Sequence, residues 1–232
     1  MAKKFTRGTL NSDNGTIYRQ TTFIHANSNL LASIDVKTTG LDANEFEIYE
    51  IAIIPVDSFL HRRKDRLPLD LLIQPSYPEK IDWGFMEKQN GVKPAIEKAI
   101  ERGHPPHIAR RLFERWVEDL YLPPKKKICP IGFNYGHEGR FLRKWMGHNH
   151  YDLVFDDTNI RDVRVIARFL NDLADLRGAP YPFMKVGLSQ LATNLKVFQD
   201  YGRIRSALGE AAVTAEVYRE MLKMLKIEVG LG

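Results

Sequence analysis

One carboxylate stands out by its setting. Asp35 sits near the end of the short apolar run Leu30–Val36 (LLASIDV), just ahead of Lys37-Thr38-Thr39-Gly40. Such a run entering a glycine turn reads as a buried strand. Side chains alternate between the faces of a strand, so residues 35 and 37 share one face. A carboxylate at a strand end is a frequent place for metal chemistry on a sheet. It is equally able to cap the turn that follows. Other chemically able groupings are sparse. His104/His107 and His148/His150 each offer two imidazoles, but a zinc site needs three or four ligands, and neither pair has a third nearby in sequence. Exposed loop histidines are the plainer reading. Cys129 lies within an apolar stretch, where a cysteine acts as a small buried residue and not as a nucleophile. Sequence patterns for a phosphate-binding loop, a dinucleotide fold, a zinc protease and a nucleophile elbow are all absent.

The elements that must position Asp35 come in two blocks. Glu47–Asp57 (EIYEIAIIPVD) reads as a second strand and Leu67–Gln74 as a third, ended by Pro75. With the first strand they form a three-stranded meander punctuated by Gly and Pro. Helical patterns then take over. In His107–Leu120 the residues Ile108, Leu112, Trp116 and Leu120 recur every four positions, and Pro123-Pro124 ends the helix. Ile128–Phe133 reads as a strand, Arg140–Met146 as a helix, and Leu153–Phe155 as a short strand on a weak signal. Val163–Leu176, Leu188–Leu195 and Ala207–Leu225 complete the pattern as helices. Strands first, then strands alternating with helices, give an α/β class with a mixed sheet flanked by helices. Residues 1–28 read as a polar N-terminal arm with a short strand around Thr16–Thr22. Residues 29–232 form the folded domain.

Three segments together carry a resemblance. IDVKTTGL with the downstream EIYEIAI resembles the first motif of the DEDD-type 3′–5′ exonucleases, the proofreading and RNA-trimming branch of the ribonuclease H-like fold. GFNYGHEGRFL (Gly132–Leu142) is similar to their second motif, and RSALGEAAVTAEVY (Arg205–Tyr218) to their third. The resemblance runs from about Leu30 to Leu225, with order, spacing and local structure in agreement. It implies a ribonuclease H-like mixed sheet, an antiparallel meander joined to parallel strands. It also implies metal-dependent phosphodiester hydrolysis, with four carboxylates holding two divalent cations that clamp the scissile phosphate and sharpen the attacking water. A histidine takes the proton from that water.

Only Asp35 matches the family at these catalytic positions. Lys37 stands where the second carboxylate belongs, Glu138 and Glu210 replace aspartates, and Arg205 replaces the general-base histidine. An ammonium about 4 Å from a divalent ion costs roughly 8 kcal/mol at an effective dielectric near 20. Lys37 either swings toward solvent, or its ammonium takes the first metal position between Asp35 and Glu210. Guanidinium cannot accept a proton from water, but it binds a phosphate oxygen. The resemblance therefore implies that Mg²⁺ or Mn²⁺ binds weakly or not at all, with Asp35, Glu138 and Glu210 as the ligands if a metal does bind. It implies weak or absent cleavage, alongside the alternative of an active exonuclease with a rearranged, single-metal site.

The same alignment places Thr38, Thr39, Asn134, Tyr135 and Arg203 beside the cleft as nucleic-acid contacts, with Tyr135 and Phe133 open to base stacking or to core packing. The basic segments His61–Arg66 and Lys125–Lys127 read either as phosphate contacts or as solvated loops, whereas Trp116 and Trp145 belong to the core. A net charge of +5 and a pI near 9.2 permit a polyanionic partner. Single-stranded DNA or RNA, or a protein partner, is expected, and a purely structural protein is the further alternative. The 232 residues, 44% hydrophobic and 27% charged, suit a soluble protein with a full core. One cysteine excludes an intramolecular disulfide framework. No apolar run approaches the roughly 20 residues of a membrane helix, and the basic N-terminus lacks a signal peptide's apolar stretch. A cytoplasmic location is the expectation.

Overall fold

A computed structural model describes residues 29–57, 59–87, 92–197 and 205–228. Five strands form one sheet in the order β3-β2-β1-β4-β5. β1 (Leu30–Thr38) and β2 (Ile48–Pro55) lie at its centre, and their β-branched and leucine-rich runs are buried on both faces. β2 pairs antiparallel with β1 and with β3 (Leu69–Leu72), which is the meander the sequence implies. β4 (Ile128–Gly132) joins β1 in parallel, and β5 (Arg161–Asp162) joins β4 likewise. This is the mixed sheet that the resemblance implies, an antiparallel meander joined to parallel strands.

Period-two alternation along β1 sorts its side chains between two cores. Leu30, Ala32, Ile34 and Val36 face α3 (Pro106–Asp119), α4 (Tyr135–Met146) and α5 (His148–Val154). Leu31 enters the opposite core, with α6 (Val163–Leu176), α7 (Leu188–Asn194) and α8 (Ala207–Glu228). Asp35 and Lys37 follow the parity of Leu31 and therefore meet α8. A third, smaller cluster joins Tyr49 of β2 to α1 (Trp83–Met86) and α2 (Val92–Arg102).

Several elements depart from the sequence reading. The segment Leu153–Phe155 is not a strand: Val154 ends α5, and only Phe155 bridges to Ile128. α4 starts at Tyr135, five residues before Arg140, because Gly136 and Gly139 dilute the helical signal without breaking the helix. Ala109 and Phe113 are the buried residues of α3; of the four-residue apolar repeat, Leu120 is buried and Trp116 packs against the core, whereas Leu112 is 39% exposed. The short helices α1 and α2 went unread. Residues 1–28, with the strand expected near Thr16–Thr22, lie outside the described residues.

Candidate functional site

Asp35 and Lys37 project from the C-terminal half of β1 toward the first turn of α8, which carries Glu210. Lys37 Nζ lies 2.7 Å from Glu210 Oε1 and 3.0 Å from Asp35 Oδ2. The side chains of Lys37, Asp35 and Glu210 are 15%, 10% and 31% exposed, so this is a sheltered ion triad and not a surface pair. The 35/37 same-face reading holds, and of the two placements open to Lys37 the structure adopts the inward one.

Two contacts seat α8 on the sheet so that Glu210 meets Lys37. Ser33 Oγ on β1 donates to Ala211 O at 2.7 Å. Glu50 on β2, directly across the ladder from Lys37, accepts from the Ala207 backbone N–H at 2.8 Å. That N–H belongs to the first turn of a helix, where donors lack intrahelical partners. Glu50 was not singled out in the sequence, although a lone carboxylate inside the buried run IYEIAIIP was a visible signal.

Glu138 enters from the first turn of α4 and is 6% exposed. Its Oε2 has no hydrogen-bond partner among the described residues. Burial, and then the nearby Asp35 carboxylate, push its pKa well above the ordinary range. Asp35 is lifted to about 7, chiefly by burial, with Lys37 opposing the rise and Glu210 adding to it. For Lys37, burial works against the charge, but Asp35 and Glu210 outweigh it and hold the pKa above the usual lysine range. Glu50 is also raised by burial, an effect its bond from Ala207 partly offsets.

The remaining site residues are differently placed. Arg205 is exposed just ahead of α8, and Arg203 lies outside the described residues. Thr38 Oγ1 donates to Gly40 O, and Thr39 Oγ1 accepts from Glu47 N, so both hydroxyls brace the turn after β1. In that turn a Cβ on Gly40 would meet the Phe46 ring at 2.2 Å, so any other residue there requires the ring to move. Asn134 is exposed with φ of 66°, a left-handed conformation asparagine tolerates better than most residues. Tyr135 is corrected as a stacking residue: it is 1% exposed, and its hydroxyl is bonded to that of Tyr151 at 2.9 Å. Phe133 is partly buried against the α6–α8 core.

His137, unremarked in the sequence, flanks the site on α4. Its ring lies 4.8 Å from that of Phe141, and burial, Arg140 and Lys37 together lower its pKa. Trp116 and Trp145 pack against the core as expected. Cys129 is fully buried, and burial lifts its thiol pKa to about 11, which agrees with an inert role. His150 Nε2 lies 3.8 Å from Glu114 Oε1. Among the described residues no three His, Cys, Asp or Glu side chains converge as a metal site requires, and no helix is long and apolar enough to cross a membrane.

No family model matches the sequence, and no curated protein does. Solved structures match over most of the chain. Exonuclease I from Methylocaldum szegediense aligns at 20% identity and a TM-score of 0.60, over 84% of this chain and 40% of its own. The nuclease domain of 3′hExo, a DEDDh family member bound to rAMP, aligns at 13% and 0.57, over 84% of this chain and 92% of its own. Pop2p of S. pombe, in its Mg²⁺- and Mn²⁺-bound form, aligns at 16% and 0.54, over 82% of each chain. The chain thus spans less than half of the exonuclease I structure. At these identities the likeness is one of fold.

Proposed function

We propose that this chain, built on the fold of DEDD-family 3′-exonucleases, holds single-stranded nucleic acid in the old catalytic cleft and cleaves it poorly or not at all. The observation that carries the reading is the Lys37 ammonium bonded between Asp35 and Glu210. By the motif alignment, those two carboxylates are ligands of the first cation. The residues present do not fit such a cation, because one of them is itself a cation already bonded to the other two. An ammonium supplies one positive charge and donors, but no Lewis acidity to lower the pKa of a bound water. Arg205, permanently protonated, serves as a phosphate ligand and not as a base. With the Lys37 charge spent on Asp35 and Glu210, the exposed Arg205 is the group that favours retention of a phosphodiester over its hydrolysis.

One observation favours the second reading, an active exonuclease with a rearranged single-metal site. Glu138 Oε2 and Asp35 Oδ2 are both buried without a hydrogen-bond partner among the described residues, Asp35 Oδ2 holding only its ion pair with Lys37, and a cation would satisfy them. Digestion of labelled single-stranded DNA and RNA by the pure chain in Mg²⁺ and in Mn²⁺ separates the two readings. The first expects intact oligonucleotide, retained by the protein in the presence of a chelator. Metal-dependent release of mononucleotides, abolished by Asp35→Ala, establishes the second.

A further inference from the structure

A cavity of about 240 Å³ lies along α4, walled by Phe46, Ile48, Ile73, Phe141 and Trp145. Drug-sized ligands occupy pockets of about 300–1,000 Å³, so this one suits a single ring system and not a whole nucleotide. Its walls are mostly aromatic and aliphatic; at its polar edge Glu47 accepts from Tyr77 N, while Lys144 and Gln74 keep unused capacity. Lys144 Nζ, at the cavity, donates to the carbonyls of Asn44 and Phe46, and its third proton remains available. Gln74 spends its Nε2 on Ile100 O, which leaves its side-chain oxygen as an acceptor. A flat ring with both donor and acceptor edges matches this lining.

A path connects the cavity to the cleft. His137, Arg140 and Lys144 stand at i, i+3 and i+7 on α4, and so share one helix face over about 10 Å. His137 directly precedes Glu138 in the first turn of α4, which places this end of the stripe beside the site. Arg140 is exposed, and no ion pair among the described residues engages it. Lys144 marks the other end, at the cavity. Phe141 belongs to both ends, since its ring contacts His137 and also lines the cavity.

We propose that the cavity receives one base of a single-stranded nucleic acid whose phosphates follow the α4 stripe away from the cleft. The proposal rests on the cleft binding nucleic acid, and it adds where the strand leaves and which base is gripped. The positive charges of Arg140 and Lys144 along this face favour a base of a polyanion over an aromatic side chain of a protein.

The test is a titration of fluorescein-labelled oligothymidylate with the full chain, in chelator at low salt. The oligonucleotide is used intact, and then with a single abasic position moved along it. One abasic position is expected to weaken binding about tenfold, within the range for loss of a stacked base, while its neighbours have little effect. Trp145→Ala removes that position dependence, and Trp145→Phe, which keeps a ring, preserves it. If Trp145→Ala fails to fold, Phe46→Ala at the opposite wall carries the same comparison. Equal losses at every abasic position, or a position dependence that survives in the wall variant, overturn the cavity proposal while leaving cleft binding intact. Absence of any salt-sensitive binding by the wild-type chain overturns the cleft reading, and the cavity proposal with it.

Discussion

At the residue scale, the chemistry of the site turns on one ammonium among four carboxylates. Lys37 neutralises Asp35 and Glu210 directly, while Glu50 and Glu138 stand close by in the same buried region. Removing one partner of a buried ion pair leaves an uncompensated charge and costs about 3–5 kcal/mol. Lys37→Ala should therefore lower stability at neutral pH by that order, measured by urea unfolding. The same variant leaves Asp35 and Glu210 without their cation. Its melting temperature should rise on adding Mn²⁺, while that of the wild type stays fixed. The pH dependence has a definite sign. The Asp35 carboxyl is raised from near 4 to about 7 in the folded chain, so between those values the folded state binds more protons than the unfolded one. Its contribution to stability is full in acid and is lost as pH rises toward 7. Relative to Asp35→Asn, the wild type should gain stability as pH is lowered from about 7 to 4. A difference independent of pH, or one growing in the opposite direction, would contradict the raised carboxyl.

At the element scale, the site exists because α8 is held against β1 and β2 at its first turn. Ser33 and Glu50 make the two tertiary hydrogen bonds, and Ala207 and Ala211 are small enough to let the helix lie close to the strands. Glu50→Ala, which leaves the Ala207 N–H without its acceptor, should destabilise the chain by about 2 kcal/mol in chemical denaturation. Glu50→Gln, which retains an acceptor oxygen, should cost much less. Much of this level was legible in the sequence. β1 declares itself by a saturated apolar run and a Gly turn, and the strand period alone places residues 35 and 37 on one face. Val163–Leu176 is a helix with the bounds its periodicity implies, because Asp162 caps it by accepting from Arg164 N and Val165 N. Other elements were hidden for physical reasons. Two glycines masked the first turn of α4, and with it the inward turn of Tyr135. The inward stripe of α3 includes Ala109, which carries little hydrophobic signal, whereas the exposed Leu112 carries much. Glu50 was obscured because its partner is a backbone N–H 157 residues away, a contact no local pattern encodes.

At the scale of the whole molecule, a sheet carries a helical layer on each face, and α4 and α8 both meet β1 at the site. Exonuclease structures share this frame, and the motif resemblance implies that Lys37 and Arg205 stand where those enzymes carry a carboxylate and an imidazole. If the frame is intact, the quadruple variant Lys37→Glu, Glu138→Asp, Arg205→His and Glu210→Asp should release mononucleotides from single-stranded DNA or RNA in Mn²⁺. The wild type should release none in the same assay. If phosphate contacts hold the ligand, the affinity of the wild type should fall steeply and log-linearly with salt. The Lys37 ammonium in the place of a divalent cation is the claim on which the rest depends, and calorimetric titration of the wild-type chain with Mn²⁺ tests it most directly. The account predicts no binding heat beyond dilution through the micromolar range. A micromolar binding isotherm that disappears in Asp35→Ala would contradict it.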